Sequence, residues 1–325
     1  MFKLRSTLPT PQSKMTLTQL EYIVAIDTYR HFATAADKCS VTQPTLSMQI
    51  QKLEDELNLK IFDRSKQPVV PTEIGRAILI QARKILKESY KVQEIISDHR
   101  QEISGELRVG IIPTLAPYLL PLFLNNFLQK FPAVKLKVVE LTTTQLVTKL
   151  KTEQIDVGII VTPVNDESLL EQPLFYEEFI AYLSSSELAF QKKLLLSTDI
   201  DLSRLWLLEE GHCIRSQIMN ICELRKQQSD SQHFEYEAGS IETLRKMVEK
   251  HGGITILPEL VLNDLSPEQL LQTRRFEAPA PVREVSLVTH RNYVKKSLID
   301  ALKQEIIAVI PKEMLNPKDR KVIDL

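Results

Sequence analysis

The hydrophobic pattern of this 325-residue chain changes period at Ser104-Gly105, and no other feature limits the fold so strongly. Before that point apolar residues recur only at helical spacing. Leu20, Ile23, Val24 and Ile26 mark a first helix, Phe32-Ala33-Thr34-Ala35-Ala36 a short alanine-rich second, and Gln43 onward a third with Leu46, Ile50, Leu53 and Leu57 as its buried stripe. Thr42 is placed to cap the third helix, with Pro44 in its first turn. Two short helices joined by a tight turn, the second opening on small polar residues, form a helix-turn-helix unit. Gln43, Pro44, Thr45, Ser47 and Gln49 are then the candidates for base contacts. Ile61–Arg64 and Val69–Pro71 flank a Ser-Lys-Gln-Pro turn that reads as a hairpin wing, where Arg64 and Lys66 suit phosphate contacts.

A long amphipathic stretch follows from Thr72 to about His99, with Ile74, Ile78, Ala82, Ile85, Leu86 and Val92 on one side. A helix that belongs to neither neighbouring domain needs a partner for such a stripe. After Gly105 short apolar runs alternate with helical ones: Leu107–Ile112, a helix to Phe131, Val134–Leu141, a helix to Glu153 and Ile155–Val161. Strands resume at Glu178–Ser184 and again between Leu205 and about Pro258, return through Arg283–His290, and are followed by a helix near Lys295–Ile310. This alternation predicts a parallel sheet covered by helices on both faces. The expected fold class is therefore α/β with an N-terminal all-α winged helix-turn-helix, a long linker helix and two α/β subdomains. The expected boundaries are a flexible extension over 1–14, the DNA-binding domain over 15–72, the linker over 73–104, a regulatory domain over 105–312 and a polar tail over 313–325.

Chemistry concentrates in Glu209–Cys222, which holds two of the three cysteines. Gly211 breaks the chain and the residues after it have helical composition, so Cys213 falls in the first turn of a helix. Free backbone N–H groups and the helix dipole stabilise a thiolate there, and His212 and Arg215 stand beside it. Cys222 lies nine residues further on; along a helix the two Cα atoms are roughly 13 Å apart, whereas a disulfide needs less than about 7 Å. Joining them therefore requires the helix to unwind. Metal binding by His212, Cys213, Cys222 and His233 is disfavoured, since neither Cys-x2-Cys nor His-x3-His spacing occurs, and no cofactor is expected. Cys39, among alanines, reads as core. Thr114 ends the first strand of the second domain and Thr143 opens the helix after the second strand, both where open α/β sheets place ligands, although either position also suits helix capping.

The run Gly211-His212-Cys213-Ile214-Arg215 with Cys222, then Ser240–Arg245 and Gly253–Pro258, resembles the sensing domain of OxyR-type peroxide sensors, a branch of the LysR-type transcriptional regulators. Ala35-Ala36, Val41–Ser47, Leu53-Glu54, Phe62-Asp63-Arg64 and Thr72–Gly75 resemble the LysR-type DNA-binding domain. The two α/β subdomains resemble a periplasmic binding protein with its ligand cleft between them. The resemblance implies that Thr114, Thr143, His212 and Arg283 gather with Cys213 around hydrogen peroxide, that Cys213 is the peroxidatic and Cys222 the resolving cysteine, and that His212 and Arg215 stabilise the thiolate. It further implies promoter DNA and RNA polymerase as partners, glutaredoxin or thioredoxin as reductant, a homodimer assembling to a homotetramer, and activation of antioxidant genes. Ser216 departs from the family pattern, in which an acidic residue commonly follows the arginine.

A net charge of −1 gives no global pull toward nucleic acid, though a helix-turn-helix needs only a locally basic face. No apolar run approaches a membrane span, and the N-terminus lacks a signal-peptide core, so a cytoplasmic protein with no membrane contact is expected. Three cysteines do not make a disulfide framework, so any bridge would be regulatory. Two alternatives stay open at this point: a LysR-type regulator answering to a small organic metabolite, and a thiol peroxidase. The first expectation is a regulator and not an enzyme.

Overall fold

The computed structural model describes residues 15–100, 103–209, 213–222, 238–291, 293, 295–316 and 320–323, with the backbone alone over 93–100. The chain divides into two compact units, 1–99 and 100–325. The expected 1–14 extension and His212 lie outside the described residues.

The first unit contains α1 (Leu17–Tyr29), α2 (Phe32–Lys38), α3 (Gln43–Leu57), a hairpin of β1 (Phe62–Asp63) and β2 (Val70–Pro71), and the start of α4 (Glu73–Arg100). Thr42 caps α3 through the Thr45 N–H, as its position in the sequence predicts. Leu46, Ile50 and Leu53 of α3 are fully buried against Ile23, Ile26, Ala35 and Ala36 in one core, with Cys39 half-buried at its margin. Glu54, singled out in the sequence only as part of the Leu53-Glu54 motif, is buried in the same stripe. One of its oxygens accepts the backbone N–H groups of Ile61 (2.9 Å) and Phe62 (3.3 Å), and the other accepts Lys60 Nζ and Arg64 Nη2, both at 3.3 Å. This carboxylate ties the wing to α3. Glu54→Ala, which strands two buried N–H donors, is expected to lower the stability of this unit by about 2–3 kcal/mol in denaturant unfolding.

The Thr72–Gly75 motif has a local physical cause. The Thr72 hydroxyl donates to the Lys60 carbonyl and accepts the Gly75 N–H, starting α4. A Cβ on Gly75 would lie 2.0 Å from the Ile61 carbonyl oxygen, so only glycine lets α4 approach the wing this closely. Leu79, Ala82 and Leu86 then bury against the first unit's core, so the expected linker is in its first half part of that unit. Ile74 and Val92 remain half-exposed on the neighbouring strip, with Ile78 and Ile85 partly covered between them.

The second unit is built on a nine-stranded mixed sheet. In chain order its elements are β3 (Gly105–Ile111), α5 (Ala116–Lys130), β4 (Val134–Glu140), α6 (Thr143–Lys151), β5 (Val157–Thr162), β6 (Leu169–Leu183), β7 (Leu194–Leu195), α7 (Cys213–Ile221), α8 (Ile241–His251), β8 (Ile254–Pro258), α9 (Pro267–Leu270), β9 (Thr273–Phe276), β10 (Ala280–His290), α10 (Lys296–Val309) and β11 (Arg320–Val322). The strands run β4-β3-β5-β10-β6-β9-β7, with β8 paired to β6 and β11 to β10. The sheet is parallel over β4-β3-β5, as the alternation predicts, but β10 lies antiparallel between β5 and β6. The long strand β6 pairs with β10 through its first ten residues and then with β8 and β9, so it runs through both halves of the sheet.

The polar tail expected over 313–325 is corrected. Met314 is buried, and β11 adds a parallel strand to β10 through the Ala280↔Arg320 and Val282↔Val322 pairs. Ile323 donates its N–H to Val282 (2.8 Å) and accepts the side-chain amide of Gln217, on α7, at 2.7 Å. The free edge of β10 beyond the end of β5, rather than composition, decides this structure.

Candidate functional site

Arg283 is the polar centre of the second unit. It is fully buried, and antiparallel register places it directly opposite Glu177, which is equally buried. Its Nε donates to Glu177 Oε2 at 2.8 Å, with Nη2 at 2.7 Å from the same oxygen. Nη1 donates to the Thr114 hydroxyl at 3.0 Å and Nη2 to the Thr114 carbonyl at 3.3 Å. The second oxygen of Glu177 accepts the Leu260 N–H at 2.8 Å. Burial pushes the Glu177 carboxyl up, and Arg283 and the Leu260 N–H pull it back; with two cationic N–H groups on one oxygen, the pair is ionised.

Cys213 opens α7, where the break at Gly211 predicts it. Protein packs densely around the thiol while part of the residue stays accessible. Burial holds its pKa above the ordinary cysteine value; Arg283, the Thr143 hydroxyl and the backbone N–H groups of Ile214 and Cys213 act against that rise. Desolvation thus works against the thiolate that these donors and the cation favour. Cys222 differs. Burial alone acts on it and pushes it up to about 11. Its N–H closes the helix onto the Ile218 carbonyl, so the backbone from Cys213 to Cys222 is helical and the two cysteines are free. At about 1.5 Å per residue their Cα atoms are roughly 13 Å apart.

The structure therefore gathers Thr114, Thr143, Arg283 and Cys213. Neither threonine is a helix cap: Leu115 precedes α5, and Thr142 takes the N-cap position of α6 with its N–H on Gln145. Among the described residues the buried Thr143 hydroxyl has no oxygen or nitrogen partner, and it acts on the Cys213 sulphur as a side-chain donor that lowers the thiol's pKa. Arg215 corrects a second expectation. Its Nη1 donates to the Leu208 carbonyl at 2.8 Å, and the cation with the largest hold on Cys213 is Arg283. A backbone carbonyl thus fixes Arg215, and Ser216 is exposed. Glu177 was missed by sequence reasoning; the signal was a charge standing between Phe175 and Phe179, which are fully buried and demand a buried partner. Among the described residues no group of three or more His, Cys, Asp or Glu is placed to hold a metal ion.

At the front of α3, Gln43 and Pro44 are exposed, while Thr45, Ser47 and Gln49 are partly covered. A spacing of two wraps around a helix, so these residues do not share one face. The exposed strip is Pro44, Met48, Gln51 and Lys52, with Met48 64% exposed. Arg64 is engaged by Glu54 and stacked 5.2 Å over Phe32, which makes it a brace of the wing; Lys66 is open to solvent.

A helix-turn-helix unit followed by a mixed α/β domain with a buried polar site defines a regulatory protein with a sensing domain. Residues 17–76 match the model of the bacterial regulatory helix-turn-helix proteins of the lysR family, and residues 100–310 match the LysR substrate binding domain. The chain belongs to the LysR family. It is 36% identical over 274 residues, 84% of this chain and 90% of the relative, to the hydrogen peroxide-inducible genes activator of Haemophilus influenzae. A full-length OxyR variant from Pseudomonas aeruginosa superposes with a TM-score of 0.75 at 33% identity, covering 91% of this chain and 99% of that one. An H2O2-bound OxyR mutant from Corynebacterium glutamicum superposes with a TM-score of 0.58 at 27% identity, covering 91% and 93%. No described helix is long and apolar enough to cross a membrane.

Proposed function

We infer that this chain is a DNA-binding transcription regulator that senses hydrogen peroxide at Cys213 and signals through a reversible Cys213–Cys222 disulfide. The observation that carries this reading is the asymmetry of the two cysteines: donors and a cation surround the first, burial alone acts on the second, and a helix holds them apart. Peroxide is held by the hydroxyls of Thr114 and Thr143. The Cys213 sulphur attacks one peroxide oxygen, the O–O bond breaks, and the thiol proton leaves with the departing oxygen as water, giving a sulfenic acid. Arg283 and the hydroxyl donors stabilise the charge that develops on the departing oxygen. His212, beside the cysteine in the chain, belongs to this site in the same reading.

The second step couples chemistry to shape. Cys222 then displaces the sulfenic oxygen as a second water, leaving the disulfide. Its thiol, pushed up to about 11, is a poor nucleophile until α7 opens and restores a pKa near 8.5. Opening α7 uncovers Ile214, Ile218 and Ile221, at roughly 1.5–3 kcal/mol each, so roughly 4–9 kcal/mol opposes the disulfide. On a two-electron couple that is on the order of 100–190 mV toward easier reduction, which suits reversal by cytoplasmic thiols such as glutaredoxin or thioredoxin.

The exposed apolar strip of α4, Ile74 and Val92 with Ile78 and Ile85 between, supports pairing with the same helix of a second copy and onward assembly to a tetramer. The front of α3 and Lys66 of the wing then contact promoter DNA, with RNA polymerase as the partner in activation. Peptide mapping after stoichiometric peroxide is expected to find a Cys213–Cys222 link and a loss of two hydrogens in intact mass. A chain that keeps both thiols, or oxidises Cys39 first, would overturn the reading.

A further inference from the structure

We propose that Glu177 is a positioning residue for the peroxide reaction: it holds the Arg283 guanidinium on Thr114 and keeps it from closing onto the Cys213 sulphur as an ion pair. This rests on the peroxide-sensing reading and extends it to a residue that touches neither sulphur nor substrate.

The geometry is a three-point clamp on the guanidinium. Nε gives one N–H, Nη1 one and Nη2 two to Glu177 and Thr114, so four of the five N–H groups have partners among the described residues. One Nη1 hydrogen remains for the reacting oxygen. Because the Thr114 hydroxyl accepts from Arg283, its own proton is free to donate. Glu177 is itself pinned by the Leu260 N–H from the turn after β8, and Glu259 of that turn, which adds negative charge near Glu177, is paired with Arg275 at 2.6 Å. The clamp therefore joins β6, β10, the loop before α5 and the turn after β8.

Glu177 also balances the charge of Arg283, so the pull of the guanidinium on Cys213 is weakened but not removed. Without the carboxylate, the guanidinium would be an unpaired buried cation, and a Cys213 thiolate is an anion within its electrostatic reach. The charged groups around the sulphur are then Arg283 from β10, with Arg215 on its own helix held to Leu208. Such a pairing would raise the thiolate fraction and at the same time occupy the N–H that peroxide needs.

Those two consequences have opposite signs, which makes the test specific. In the full-length protein, Cys213 is followed by peptide mass spectrometry at one pH with two probes. Iodoacetamide reports only the thiolate fraction; peroxide, with the sulfenic acid trapped by dimedone, also needs the positioned donors. In Glu177→Gln the iodoacetamide rate should rise, while the ratio of peroxide to iodoacetamide rate constants should fall at least about tenfold. In Glu177→Asp, which keeps the charge on a shorter arm, the iodoacetamide rate should stay within about twofold of the parent and the ratio should fall about threefold or more. A residue serving only stability would lower the melting temperature and leave the ratio unchanged; an unchanged ratio, or a slower iodoacetamide reaction in Glu177→Gln, overturns the proposal. Should Glu177→Gln not fold, an unchanged ratio in Glu177→Asp overturns it alone. Failure of the parent protein to oxidise at Cys213 would instead overturn the sensing reading.

Discussion

Cys213→Ser is expected to abolish the peroxide response completely while leaving DNA binding by the reduced form within about twofold. Serine preserves the shape and the N-terminal end of α7, so the packing of Ile214 and Ile218 is kept and the DNA-binding unit is untouched. What disappears is the one sulphur with donors and a cation about it. The remaining thiols do not substitute. Cys222 at about 11 is on the order of one part in ten thousand thiolate at pH 7, and burial together with Glu21 holds Cys39 above its ordinary value. Gel-shift titration with and without peroxide, alongside intact mass, measures both halves of this expectation. In the parent protein the raised pKa of Cys213 adds a pH signature: the thiolate fraction, and with it the oxidation rate, should climb about tenfold per pH unit through neutrality and beyond the ordinary cysteine pKa. A rate already flat at pH 7 would show that the thiolate is preformed after all.

Arg283→Met should be the most destabilising single change in the sensing unit. Methionine leaves Glu177 buried with no cation, and breaking one partner from a buried pair costs about 3–5 kcal/mol. In a unit of this size that lowers the melting temperature by roughly 6–20 °C. The sign of the pH dependence follows from the orphaned carboxyl. Its folded pKa rises above the unfolded value, so the folded state is favoured while the group is protonated and loses stability as pH climbs through the folded pKa. The deficit against the parent should therefore be smaller near pH 5 than near pH 8 in thermal scans. Adding Glu177→Leu should recover a large part of the loss, because two apolar groups need no partner. A deficit independent of pH would mean that Glu177 is not ionised in the parent protein.

Much of this fold can be read from spacing. α1 to α3, the wing and the parallel strands β3, β4 and β5 lie where apolar period and turn residues put them, although β4 buries only Val134 of its apolar run. The first half of β6 was not legible: Glu171, Gln172, Glu177 and Glu178 interrupt its apolar run, and their partners, such as Arg283 more than a hundred residues away, appear only once the sheet is assembled. The same holds for β11, whose polar residues gave no strand signal and whose pairing depends on a vacant edge. In the site, Cys213 and Cys222 stood out by themselves and Thr114 and Thr143 by their places at the ends of strands, whereas Arg283 was reachable only through resemblance. The role expected of Arg215 failed because proximity in sequence says nothing about which way a guanidinium turns.

Gln217 gives the second unit a latch. Its amide reaches across 106 positions to the Ile323 carbonyl, next to the strand seated on β10, from the very helix that keeps the two sulphurs apart. If that helix comes undone on oxidation, the grip on Ile323 goes with it, and the closing strand keeps its pairing with β10 and the hold of Arg320 on Glu178. On the proposed mechanism, a change made to Arg320–Ile323 is expected to shift the ease of opening that helix, without altering any group that peroxide meets.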